Sequence, residues 1–408
     1  MTSTTSDPIR RDAAVSSTAT LDVAAIVAAV ANVLPGPAAL HEPTMRGREW
    51  DYVKECLDSG WVSYAGQYVE RFERMLEQVT GARHAVAMAS GTAALHMGLI
   101  VCGIRHRDEV LVPAFTFVAT ANAVAHAGAV PHFVESDSAT LGVSPGLLDE
   151  YLSRIADQKD GQCINRRTGC RIAAIIPMHV FGHPVDMDAL NDVAERHNLV
   201  VIEDAAESLG SSYKGRSTGT FGRVAALSFN GNKIITTGGG GALLTDDPEL
   251  ARHARHLSTT AKLPHKWEFR HDEIAYNYRM PSLNAALGCA QLEQLPGFVT
   301  AKRRLAEKYG VVLDEVAGIR FLREPAFASS NYWLNAILLQ PKIANDCVNR
   351  DSLLAAFNAA GIMARPAWSL MHHLPMYSDC PRMDLPVAES LERRIVNLPS
   401  SVSLVEPV

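Results

Sequence analysis

A mostly parallel α/β sheet with helices on its faces is the architecture this sequence predicts for residues 81–296. Short apolar runs at 84–88, 109–113, 129–134, 171–177 and 199–202 have strand length. They alternate with segments of helical spacing, such as 121–127 and 188–197. Polar, acidic and lysine-bearing residues cluster just after these runs. In open α/β sheets that is the ligand-binding end.

The flanking segments follow the same reading. Upstream, 48–59 (Trp50, Val53, Leu57) and 69–79 (Phe72, Met75, Leu76, Val79) show helical spacing, with an aromatic, small-residue loop at 61–66 between them. Beyond Pro296 the pattern changes. A charged helical connector at 299–313 leads to strands at 318–321 and 333–339 and helices at 352–360 and 383–394. This predicts an N-terminal extension (1–40), a large domain (41–296) and a smaller C-terminal α+β domain (297–408). Residues 21–34 predict an amphipathic helix ended by Pro35-Gly36-Pro37, too short to cross a bilayer.

Composition excludes several classes. The chain has 408 residues, 47% hydrophobic and 20% charged, an ordinary globular balance with material for a sizeable core. Its net charge of −6 argues against a nucleic-acid or anionic-membrane surface. Seven scattered cysteines without a CxxC pair argue against a structural zinc site. They fit free thiols in a reducing cytoplasm, and no metal is expected.

The chemistry centres on Lys233. It lies between two apolar runs, 224–227 and 242–245, in Ser228-Phe229-Asn230-Gly231-Asn232-Lys233, ahead of the glycines 238–241. A lysine held between buried strands is equipped to form a Schiff base, although a surface hairpin with a solvated lysine fits the same stretch. Ser90-Gly91-Thr92 opens a helix and would offer free N–H groups and hydroxyls to a phosphate; a plain helix cap fits it too. Asp204 ends the 199–203 run, where it is either a catalytic carboxylate or a structural ion-pair partner. Pyridoxal phosphate requires all three: an amine for its aldehyde, a phosphate cradle, and an acid for its pyridine nitrogen. Phe117, at another run's end, would cover one ring face.

These motifs resemble the DegT/DnrJ/EryC1/StrS sugar aminotransferases. The resemblance is carried by 90–95, 115–120, Glu203-Asp204-Ala205-Ala206-Glu207, and 228–233 with Thr236-Thr237-Gly238, and it runs from about 40 to 402. It implies the pyridoxal-phosphate fold-type I, with Lys233 as the Schiff-base lysine and Asp204 on the pyridine nitrogen. Ser90, Gly91, Thr92, Ser228 and Asn230 would serve the cofactor's phosphate end and surroundings, with Phe117 stacked on the ring. Glu207 stands where many relatives carry His or Gln near the cofactor hydroxyl. Asn277 would reach the phosphate of a neighbouring subunit, implying a homodimer with shared active sites.

Stretches at 163–165, 177–184, 260–268, 365–368 and 370–377 resemble the LegC-type branch more particularly. That branch aminates C4 of a nucleotide-linked 4-keto-6-deoxy-N-acetylhexosamine, UDP-linked, in legionaminic-acid, bacillosamine and related bacterial glycan pathways. Gly239 departs from the wider family, where Thr-Thr-Gly-Glu is usual. The implied reaction has two halves: L-glutamate leaves its amine as pyridoxamine phosphate, which then aminates the keto-sugar, with Lys233 moving the proton. Expected substrate contacts are Trp61, Ser63, His179, Trp267, Arg365 and His373; core packing or a capped loop accounts equally for Trp61, Trp267 and His373. A different keto-sugar such as GDP-4-keto-6-deoxymannose is the alternative substrate. A cofactor-dependent sugar dehydratase is the alternative reaction, which the presence of Lys233 opposes. A DNA-binding regulator on this fold would need a basic helix-turn-helix, and none is seen.

Overall fold

The computed structural model describes residues 21–341 and 347–405. A central sheet runs in the order His84–Met88, Gly241–Thr245, Val224–Ser228, Val200–Asp204, Arg171–Ile175, Glu109–Pro113, Val130–Val134. The last five of these are mutually parallel, and Gly241–Thr245 is antiparallel to both neighbours. A short hairpin, Ala156–Lys159 with Gln162–Asn165, adds to Arg171–Ile175. The α/β expectation is met.

Both faces of the sheet are covered, and the alternation along each strand shows it. Val224, Ala226 and Leu243 face one apolar core, shared with Val110, Val112 and Ile175. Ala225, Leu227 and Leu244 face a second core with Phe72, Phe229 and Ala286. Helix Gln67–Thr80 contributes Phe72 and Leu76 to that second core and ends on left-handed Gly81.

A four-stranded antiparallel sheet forms the C-terminal unit: Ile319–Phe321, Asn335–Leu339, Ile395–Leu398 and Arg365–Pro366. Its core joins Ile337, Leu339 and Val396 to Phe357, Tyr309, and Ile26 and Val30 of helix Val23–Ala31. The segment expected only as an N-terminal extension therefore packs its apolar face into this core, against helices Ser282–Leu313 and Cys347–Ala359. The boundary read at Pro296 falls inside one continuous helix, Ser282–Leu313. Proline removes one backbone donor. Burial of Cys289, Leu292 and Leu295 before it, and of Phe298, Ala301 and Leu305 after it, holds the helix through the break.

Among the described residues no helix is long and apolar enough to cross a membrane.

Candidate active site

The parallel strands end around a cavity of about 220 Å³. Its walls include Ser90, Gly91, Thr92, Phe117, Asp204, Glu207, Ser228, Asn230 and Lys233. Nine residues separated by up to 143 positions (233 − 90) in the chain thus meet at one place.

Each is placed by local structure. Strand Val200–Asp204 delivers Asp204, which is buried. Thr120 donates to its Oδ2 at 2.7 Å and the Ala206 N–H to its Oδ1 at 3.2 Å. Burial pushes this carboxyl's pKa up, while the two hydrogen bonds and Lys233 act against that rise. Ser90 caps helix Gly91–Val101, its hydroxyl accepting from Ala93 N–H at 3.1 Å. A Cβ on Gly91 would sit 2.8 Å from Cβ of Ser228, and one on Gly241 would sit 2.4 Å from the Ser90 backbone. The cradle closes only because both positions lack a side chain.

Lys233 lies in the loop between strands Val224–Ser228 and Gly241–Thr245. Its amine stands 3.2 Å from Glu207 Oε1, and their side chains are only 11% and 1% exposed. Glu207 Oε2 accepts the Phe181 N–H at 2.9 Å. Burial raises the Glu207 carboxyl to about 7, against the pull of Lys233.

The sequence reading missed two wall residues as site groups, Trp333 and Trp368. Trp333 lies 4.0 Å from the Lys233 amine, measured to its ring centre. Trp368 meets Phe117 edge-on, with centroids 6.2 Å apart, and also packs on Phe115 and Phe181. Both come from the C-terminal third, so local pattern near the lysine carries no sign of them.

Of the expected substrate contacts, none lines this cavity. His179 is a correction: it is fully buried, its Nε2 3.1 Å from Glu203 Oε2 and its Nδ1 accepting from Val185 N–H at 3.2 Å. Both ring nitrogens are thus occupied inside the protein. Trp61 is exposed beside a separate cleft with Cys56 and Tyr68, while the Ser63 carbonyl accepts the Ser282 N–H. Trp267 is 72% exposed, next to strand Arg270–His271 of a small hairpin. Arg365 is exposed on strand Arg365–Pro366, and His373 pairs with Glu392 at 3.3 Å. Asn277 is exposed and also lies outside this cavity.

The DegT/DnrJ/EryC1/StrS aminotransferase family model matches residues 43–407. The chain belongs to this family. It is therefore a pyridoxal-phosphate-dependent sugar aminotransferase. It is 36% identical over 365 residues to the GDP-perosamine synthase of Escherichia coli O157:H7, covering 90% of this chain and 93% of that protein. It is 37% identical over 372 residues to the putative pyridoxal phosphate-dependent aminotransferase EpsN of Bacillus subtilis, covering 90% and 92%. Among solved structures it is similar to the aminotransferase TlmJ from Streptoalloteichus hindustanus, with TM-score 0.81 and 29% identity over 91% of this chain and 95% of that one.

The wall residues fit the cofactor. The N-terminus of the 11-residue helix Gly91–Val101, with Ser90 and Thr92, supplies donors suited to a phosphate. A buried carboxyl, an amine and an aromatic face complete the set.

Proposed function

We propose that this enzyme moves the amino group of L-glutamate to C4 of a nucleotide-linked 4-keto-6-deoxyhexose, with GDP as the carrier. The observation that supports the carrier is similarity at 35–36% identity to three GDP-perosamine synthases across about nine-tenths of the chain. A UDP-linked 4-keto-6-deoxy-N-acetylhexosamine is the second reading, favoured by the LegC-like stretches at 177–184, 260–268 and 370–377. The wider family relationship accommodates both.

When bound, pyridoxal phosphate supplies an aldehyde that condenses with amines and a ring that takes up electrons from a breaking C–H bond. In this reading Lys233 is the amine that holds the aldehyde and later moves the proton, as general base and then general acid. Asp204 holds the proton of the ring nitrogen, and Thr120 orients its carboxylate. Ser90, Gly91, Thr92 and Ser228 take the phosphate; Phe117 packs on the ring; Glu207 and Asn230 line the lysine's side of the cavity. Exposed Asn277, outside its own chain's cavity, is assigned to a partner subunit's phosphate, which makes the active unit a homodimer.

The test separates the two substrates. The purified holoenzyme is treated with L-glutamate until its visible cofactor band is lost, freed of excess donor, then offered either keto-sugar. Return of the band with the GDP-linked sugar, at a rate at least about tenfold above that with the UDP-linked one, supports the proposal. The reverse preference makes the LegC-type reading correct. No return with either leaves the aminotransferase standing and sinks both sugar assignments.

A further inference from the structure

Trp333 is positioned with respect to Lys233 by more contacts than filling a core requires. Its indole N–H donates to the carbonyl of Asn232, the residue just before the lysine, at 2.6 Å. Its backbone N–H donates to Asn331 Oδ1 at 2.8 Å, and the Asn331 amide donates to the carbonyls of Glu207 and Leu209, both at 2.9 Å. Asn331 is fully buried, and Ser330 Oγ donates to the Gly182 carbonyl at 2.9 Å. Between Asn331 and Trp333, Tyr332 adopts φ 47°, a left-handed conformation that a bulky side chain rarely takes. Space for this turn exists because residue 182 is glycine: a Cβ there would meet Asn331 Oδ1 at 1.9 Å.

The consequence is geometric. One hydrogen-bonded turn fixes both the aromatic face and the segment carrying Glu207, and the indole is tied to the lysine's own loop. Between them stands the Lys233 amine, 4.0 Å from the ring centre and 3.2 Å from the carboxylate. An aromatic face attracts an ammonium group through its quadrupole, most strongly for tryptophan and when water is excluded. Trp333 is 4% exposed.

We propose that the Trp333 face is a built resting place for the Lys233 amine, holding it beside Glu207 whenever the lysine is not bonded to the cofactor. Trp333 is then a positioning residue: it keeps the freed amine at hand for proton transfer rather than letting it wander toward solvent. This rests on Lys233 being the reactive amine. The other titratable groups coupled to this position are Asp204 and His41, the latter held well below the ordinary histidine range first by its burial.

The test replaces Trp333 with mono-, di- and trifluorinated tryptophan by site-specific incorporation. Each fluorine weakens the ring's attraction for a cation while shape and the indole N–H remain. Two quantities are read. In the cofactor-stripped protein, the rate at which an amine-selective acylating reagent labels Lys233 is followed by peptide mass spectrometry. In the holoenzyme, the L-glutamate half-reaction is followed with its KM. We expect labelling to rise stepwise along the series by roughly two- to thirty-fold in all. The half-reaction rate should fall in step, with KM for L-glutamate unchanged. Trp333→Phe, which keeps a face, should lie between wild type and Trp333→Leu, which does not. Flat labelling across the fluorinated series overturns the proposal even if the leucine variant fails to fold. The labelling arm needs no turnover, so a wrong sugar assignment, or a failed amination assay, leaves it readable.

Discussion

Thr120 donates to Asp204 Oδ2 at 2.7 Å, and Thr116 stands 2.8 Å behind it, oxygen to oxygen, with all three side chains buried. Burial raises the Asp204 pKa, so this donor helps hold the carboxylate in its charged form. Thr120→Val keeps the shape and removes the donor. A hydrogen bond to a charged group contributes about 1.5–3 kcal/mol, so the glutamate half-reaction should slow by roughly tenfold or more. The loss should shrink as pH rises, because a carboxyl that protonates more readily regains its charge at higher pH. Thr120→Ser should remain near wild type. An equal loss in both variants at every pH would show that the methyl group, not the hydrogen bond, matters.

Replacing the two central groups has sharper outcomes. Lys233→Ala should abolish turnover while the far-ultraviolet circular dichroism is kept, because the side chain lies in a loop and supports no strand pairing. Asp204→Asn should lower the rate by about 10²–10³, the usual loss when one preorganised electrostatic partner is removed. Wild-type rates in either variant would displace these residues from the assigned roles.

Much of this was legible in the sequence, and the reasons differ by residue. Asp204 ends a strand and Lys233 lies in the loop just past one, and strand ends announce themselves through short apolar runs bounded by polar groups. Gly91 and Ser90 mark a strand-to-helix turn in the same local way. Trp333 and Trp368 were not legible as site groups: they reach the cavity from the C-terminal third through tertiary packing, and an aromatic beside a strand reads as core. His179 misled because a histidine after a strand has the same local pattern whether it faces a ligand or a buried Glu203. Pro296 misled because a proline usually ends a helix, whereas here apolar burial on both sides carries the helix across.

Glu207 sets a pH dependence on stability. Burial raises its carboxyl from the ordinary glutamate range to about 7, so the native state holds a proton that the unfolded chain releases. Its contribution is fully present below about pH 4.5, falls as pH rises toward 7, and then stays low. Glu207→Gln removes this slope. In the cofactor-free protein the melting temperature of the variant, relative to wild type, should therefore climb between about pH 5 and pH 7.5. A constant difference across that range would mean that Lys233 fully offsets the burial cost.

Gly91→Ala tests the cradle. Its Cβ would press on Ser228 Cβ at 2.8 Å and on the Leu227 carbonyl at 3.3 Å. Overpacking of this kind costs about 1–3 kcal/mol. The variant should lose cofactor on dialysis faster than wild type, and excess pyridoxal phosphate should restore part of the visible band. Undiminished retention would place the phosphate elsewhere in the cavity.

His179 offers the cleanest separation of a structural from a substrate role. Its Nε2 faces Glu203, whose carboxylate also accepts from the N–H groups of Gly219, Phe221 and Gly222 at 2.5–2.8 Å. Because Nδ1 accepts from Val185, the proton lies on Nε2 and is donated to Glu203. His179→Ala removes one of four donors from a buried carboxylate and leaves a cavity, so it should destabilise the protein by about 2–4 kcal/mol. Three backbone donors remain, which keeps the charge tolerable and the protein foldable. KM for glutamate and for the keto-sugar should be unchanged, since the ring is sealed beneath the strand ends rather than lining the cavity. A raised sugar KM with an unaltered melting temperature would instead return His179 to the substrate.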